Sequence, residues 1–205
     1  MRRRPVQKRS RERFEAIVQG ARQLIGERGL EPVTMTDIAA AAGMNVTALY
    51  RYFPNKRAVV RELALRAFEA NAEMAKELTR AEGHLSSAER IRRGVAHYIR
   101  HHLDDAGRLQ VRRAVRADAE LSALDLRDSV RNAEVIAAEL HRLGTPIPVA
   151  VLRRRCLLIV EAIDGVIRLA SGLEEEADAL VDEFAAAAAA LVLRGPSADD
   201  RPRGP

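Results

Sequence analysis

Apolar residues recur along this chain at the spacing of a single helical face, and nowhere do they alternate as a half-buried strand would. Phe14, Ile17, Val18, Ala21, Leu24 and Ile25 form the first such stripe, which stops at Gly29, a residue suited to the left-handed position after a helix. Thr34-Met35-Thr36-Asp37 then has the form of a capping box, so a short helix is predicted from Met35 to Ala42, broken by Gly43. Asn45 is a good N-cap for a second short helix, Val46 to about Phe53, with Leu49 and Phe53 one turn apart on its inner face. Pro54 stops that helix, and Asn55 caps a long one carrying Val59, Leu63, Ala67, Met74 and Leu78. After a break near Gly83 to Ser87, five more helices are predicted at roughly 87–104, 107–117, 123–143, 148–171 and 174–194. The pattern therefore predicts an all-α protein of about nine helices.

Composition narrows the picture. A length of 205 residues with 47% apolar content is enough for one or two cores. The longest apolar stretch, Phe184 to Leu193, is about half what a bilayer crossing needs, and no apolar signal core follows Arg2, so a cytoplasmic protein with no membrane partner is expected. A single cysteine, Cys156, can form neither an intrachain disulfide nor a cysteine metal cluster. The net charge of +5 conceals a local excess: residues 1–57 carry twelve Lys/Arg against five Asp/Glu, while the remainder is slightly acidic. A basic N-terminal block is the footprint of a polyanion partner, or a solvated tail.

Two short helices joined at Gly43, following a longer amphipathic helix, describe a helix-turn-helix. Ala39 and Gly43 are expected to let the short helices cross closely, with Ile38, Leu49 and Phe53 buried against the first helix. Val46, Thr47, Ala48, Tyr50 and Tyr52 would then point outward along the second short helix, the element that enters a major groove.

The run from Thr34 through Gly43, Asn45, Tyr50, Phe53 and Pro54 to Lys56 resembles the DNA-binding signature of the TetR family, strongly over residues 10 to about 65 and beyond that only in helix count and length. The resemblance implies an N-terminal three-helix DNA-binding domain followed by a helical domain for ligand binding and dimerisation. It divides the chain into a basic arm (1–9), a helix-turn-helix domain (10–56), an effector and dimerisation domain (57–194) and a disordered tail (195–205). The function implied is a ligand-responsive repressor that grips a pseudopalindromic double-stranded operator as a homodimer. By the same resemblance, Tyr50, Tyr52 and Lys56 contact backbone, and Val46, Thr47 and Ala48 read bases. Thr34 and Thr36 open a helix where hydroxyls and amides can meet a phosphate. Only Thr47 among the readers can hydrogen-bond, so methyl contacts and the arm of Arg2, Arg3, Arg4, Lys8, Arg9 and Arg11 are expected to contribute. The alternative for Tyr50 and Tyr52 is packing against the long fourth helix.

A half-site reader needs a partner, and the eighth and ninth helices offer a seam: Cys156, Ile159, Ile163 and Val166 on one, Phe184, Ala188 and Leu191 on the other. The alternative for the alanine run is a well-formed helix at a core edge. Tyr98 and His102 place polar tips on the inward arc of the fifth helix and either orient a small-molecule effector or bond internally. Met74, Arg112, Arg116, Asn132 and Asp164 are the facing candidates. His97, His101 and His102 raise a metal site, but no cysteine or carboxylate completes it, so no metal and no cofactor are expected. Without a nucleophile beside a base, a phosphate loop or an informative carboxylate pair, an enzyme is not expected.

Overall fold

The computed structural model describes residues 8–80 and 85–195, with the side chains of 75–80 left aside. The described residues form nine α-helices and no strand: α1 (Lys8–Arg28), α2 (Met35–Ala41), α3 (Val46–Tyr50), α4 (Lys56–Arg80), α5 (Ser87–Leu103), α6 (Ala106–Ala117), α7 (Ala119–Arg142), α8 (Val149–Ala170) and α9 (Ala177–Leu193), the last preceded by a 3-10 turn at Glu174–Glu176. Arg2, Arg3, Arg4 and the tail after Gly195 lie outside the described residues. Two compact units emerge, one of residues 1–69 with 105–125, the other of 70–104 with 126–205. The motif expected over 10–56 thus sits in a larger unit that also takes in the first half of α4, all of α6 and the start of α7.

The first unit closes around large side chains. Phe14, Ile17 and Ile25 from α1 meet Ile38, Leu49 and Phe53, with Val59 and Leu63 from α4 and Val111 and Val115 from α6. Phe14 and Phe53 stack at 5.1 Å between ring centroids, and the Arg66 guanidinium covers Phe14 at 5.6 Å. That guanidinium is held by both oxygens of Glu15 at 2.5 and 2.8 Å and by Glu62 at 3.1 Å. A side chain at Gly26 would come within about 3.0 Å of the Gly107 backbone, so these two glycines allow α1 and α6 to touch.

Local chemistry explains the helix ends, including two that differ from expectation, and the turn at Gly43. Pro54 has no N–H and disfavours helical backbone at Phe53, so α3 ends at Tyr50 and Phe53 turns into the core. Helix α7 begins at Ala119, four residues earlier than the periodicity suggested, because the Asp118 carboxylate accepts from the amides of Glu120 and Leu121 at 3.0 Å each. Gly43 does not serve close packing: a Cβ there would meet nothing within 4 Å, and its φ of 64° is what the turn requires.

In the second unit α5 and α8 pack against α9. Ala185, Ala188 and Ala189 are buried, which brings neighbouring backbones close. Arg100 of α5 reaches Asp178 and Asp182 at 3.2 and 2.8 Å. Arg155 of α8 is buried and donates to the carbonyls of Val192 and Arg194, satisfying the end of α9. Arg153 ties α8 to Glu134 of α7 at 2.9 Å. No described helix is long and apolar enough to cross a membrane.

Candidate nucleic-acid interface and ligand cavity

The surface around α3 is set by caps. The Thr34 hydroxyl accepts from the Asp37 amide at 3.1 Å while the Asp37 carboxylate accepts from the Thr34 amide at 2.8 Å, which is the predicted capping box. The same hydroxyl donates to Asp37 at 2.6 Å, and these bonds hold the Asp37 carboxyl below its ordinary range. Asn45 accepts from the Ala48 amide at 2.8 Å and starts α3. Asn55 accepts from the Ala58 amide at 2.9 Å and starts α4.

Caps and core together leave one short face in solvent. Leu49 is fully buried, and on the opposite side Thr47 and Tyr50 are exposed, Tyr50 by 48%. Ala48 is half-buried. Val46 and Tyr52 pack partly on the core, and the Tyr52 hydroxyl lies 3.3 Å from the Ser10 hydroxyl of α1. Tyr52 therefore differs from the outward residue anticipated, because its ring is needed beside the core and its tip meets α1. Lys56 donates to the carbonyls of Leu30 and Glu31 at 3.0 and 3.1 Å and so braces the loop ahead of α2. Thr36 is exposed in the first turn of α2.

Two residues missing from the sequence-based selection border this face. Arg13 of α1 and Arg51 after α3 flank a shallow depression with Gly43, Asn45 and Ala48. Both are exposed, and neither is held in an ion pair among the described residues. The signal available was charge alone: Arg13 is one of many arginines on α1, and only the fold sets it beside the turn.

The fit to a known family is carried by this same segment. Residues 17–63 match the model for bacterial regulatory proteins of the tetR family. The match covers the helix-turn-helix segment of the first unit. Solved structures with the same fold cover almost the whole chain. FadR from Bacillus subtilis in complex with stearoyl-CoA is 19% identical with a TM-score of 0.66, covering 90% of this chain and 100% of its own. SmeT, repressor of the Stenotrophomonas maltophilia multidrug efflux pump SmeDEF, is 19% identical with a TM-score of 0.66 and 87% coverage of each chain. RolR in complex with resorcinol is 20% identical with a TM-score of 0.62, covering 94% and 99%. No curated protein sequence matches the chain. The chain shares the all-helical fold of these regulators, with the tetR-family match lying in its first unit.

The second unit holds a partly open cavity of about 130 Å³. Ile91 and Val95 of α5, Ile136 and Leu140 of α7, and Ile159 and Ile163 of α8 supply most of its wall. Its polar members are Asn71, Arg90, Tyr98 and Asn132. Tyr98 and Asn132 were selected from the sequence and are brought together here; Asn71 and Arg90 were not. Asn132 donates to Asp128 at 3.0 Å, and Arg90 donates to the Leu85 carbonyl at 3.4 Å.

The remaining candidates lie elsewhere among the described residues. His102 is buried behind Tyr98, the two rings 4.4 Å apart, and its Nδ1–H donates to the Tyr98 carbonyl at 2.9 Å. Met74 and Asp164 are half-buried in the second unit but do not line the cavity. Arg112 and Arg116 belong to the first unit, where Arg116 pairs with Asp125 at 3.4 Å. The described residues bring no three His, Cys, Asp or Glu side chains together as a metal site.

The expected seam also redistributes. Cys156, Ile159, Ile163 and Ala188 are covered by their own chain, the first three lining the cavity, so they have no surface left for a partner. Burial pushes the Cys156 thiol up to about 12 and keeps it protonated. Val166, Phe184 and Leu191 remain half-buried. Leu158 and Leu169 are exposed by 61% and 41%, with Ala162 exposed between them.

Proposed function

We propose that this protein is a repressor that binds a pseudopalindromic operator as a homodimer and releases it when a small molecule occupies the cavity of the second unit. The carrying observation is the α3 face: Leu49 anchors the helix, Thr47 and Tyr50 stand in solvent, and Arg13 and Arg51 flank the depression at Gly43, Asn45 and Ala48. In this reading Thr47 offers one hydrogen bond and a methyl to base edges, with Val46 and Ala48 adding apolar contact to thymine methyls. Tyr50, Thr36, Arg13, Arg51 and the arm containing Arg3 and Arg4 hold phosphates and set register. Lys56 and Tyr52 act one step back, bracing the loop before α2 and the start of α1.

One helix-turn-helix covers a half-site, so operator recognition calls for two copies related by a two-fold axis. Leu158, Ala162, Val166 and Leu169 form one stripe along α8, and this apolar surface, with Phe184 and Leu191 of α9, is the seam proposed for the second copy. FadR and RolR carry ligands as different as stearoyl-CoA and resorcinol on one fold. The cavity is accordingly read as the effector site, and a bound effector shifts the protein only by its differential affinity for the DNA-binding and released states.

Fragments of the source genome selected by binding, then titrated by fluorescence anisotropy at several salt concentrations, test the reading. Arg51→Ala is expected to lower the slope of log affinity against log salt by about one, the share of one phosphate contact. An unchanged slope removes Arg51 from the interface.

A further inference from the structure

The effector class follows from three properties of the cavity, given the reading of it as the effector site. The first is size. An apolar protein cavity of about 150 Å³ holds one benzene molecule, and the space here is about 130 Å³. One six-membered ring fits within it. The second is the wall, where branched aliphatic side chains such as Ile91, Ile136, Ile159 and Ile163 offer a dry surface for a ring.

The third is an unmet hydrogen bond. Asn71 is only 7% exposed and lines the cavity, yet its Oδ1 has no hydrogen-bond partner among the described residues. A buried acceptor left unsatisfied is unfavourable, so a bound molecule that donates to it gains affinity. An amide also presents an N–H₂ from the same position, and a hydroxyl can both donate and accept, so it satisfies either face of Asn71. Among the described residues no carboxylate lines the cavity, while Arg90 does, so nothing described there rewards a cationic ligand.

We propose that the cavity binds a small monocyclic phenol, its hydroxyl bonded to Asn71 and its ring packed among the isoleucines of α5, α7 and α8. The experiment is calorimetric titration of the full-length protein, without DNA, using phenol, toluene, benzylamine and octanoate. Phenol and toluene share a ring and a shape and differ in the hydroxyl. Phenol is expected to bind roughly tenfold more tightly than toluene, the worth of one buried hydrogen bond whose acceptor is otherwise unmet. Benzylamine and octanoate are expected to bind more weakly than phenol. In Asn71→Leu the preference should vanish, with toluene bound at least as tightly as phenol.

Equal binding of phenol and toluene by the unaltered protein overturns the assignment, with no variant needed. So does tighter binding of octanoate or benzylamine, absence of binding by all four, or a phenol preference that survives in Asn71→Leu. DNA binding is read separately: a protein that grips its genomic fragment but shows no phenol preference loses this inference and keeps the regulator reading. One that prefers phenol and binds no DNA does the reverse.

Discussion

In the first unit Phe14, Ile17, Ile38, Leu49 and Phe53 pack into a core around two stacked rings, whereas in the second Ile91, Ile136, Ile159 and Ile163 stand around an unfilled 130 Å³. Nine of the twelve largest fully buried side chains belong to the first unit, although it is the smaller one. The difference matches the two tasks proposed for these units. A surface that reads DNA must hold Thr47 and Tyr50 in a fixed register, and close packing resists deformation. A sensor needs room, and loses contact energy to keep it.

Core truncation separates the units most sharply. Phe53→Ala should cost about 3–5 kcal/mol, because it removes a fully buried ring and its stacking on Phe14. Urea denaturation followed by circular dichroism checks this, and a loss under about 1 kcal/mol would mean that the first unit is no better packed than the second.

Enlarging a side chain makes the converse test. Ile163→Phe points added volume at the cavity, so its effect on stability should stay within about 1 kcal/mol, compared with the ~1–3 kcal/mol that overpacking costs in a filled core. Phenol binding should be lost in the same variant. A strongly destabilised Ile163→Phe would show that the space is not available to a ligand.

Smaller effects test the local devices of the first unit. Thr34→Ala removes the hydroxyl of the capping box and should cost about 1 kcal/mol by denaturant midpoint. An unchanged midpoint would show that α2 is held by Ile38 and Ala39 alone. Asp118 supplies a pH signature: the Arg57 guanidinium, with the Leu121 amide, holds its carboxyl down to about 2 from 3.8. A depressed carboxyl stabilises the folded state above its unfolded value and loses that contribution as pH falls from about 3.8 towards 2. Asp118→Asn should therefore flatten the acid limb of a thermal melt in that window and leave its shape above pH 5 unaltered; an identical acid limb would remove the pairing from the account.

The motif was the most legible part of the chain because its determinants are local. Thr34, Asp37, Asn45 and Asn55 each act within three residues, and the structure has every one of those caps. Gly43 was placed correctly and explained wrongly, since a sequence cannot distinguish a glycine needed for its backbone angle from one needed for contact. Arg13 and Asn71 were passed over because their positions depend on long-range packing. The wide apolar arc of α8 showed burial on more than one side and left open against what. The structure divides that arc between a cavity wall at Cys156, Ile159 and Ile163 and a solvent face at Leu158 and Leu169.

The central claim is that the α3 face reads a DNA sequence. Anisotropy at physiological salt, comparing a genome-selected fragment with its scrambled counterpart for the unaltered protein and for Thr47→Ala, tests it most directly. The selected fragment should bind at least ~10³-fold tighter than the scrambled one, and Thr47→Ala should narrow that ratio several-fold while leaving binding to scrambled DNA unchanged. Equal affinity for the two fragments, or a ratio indifferent to Thr47, would contradict the account.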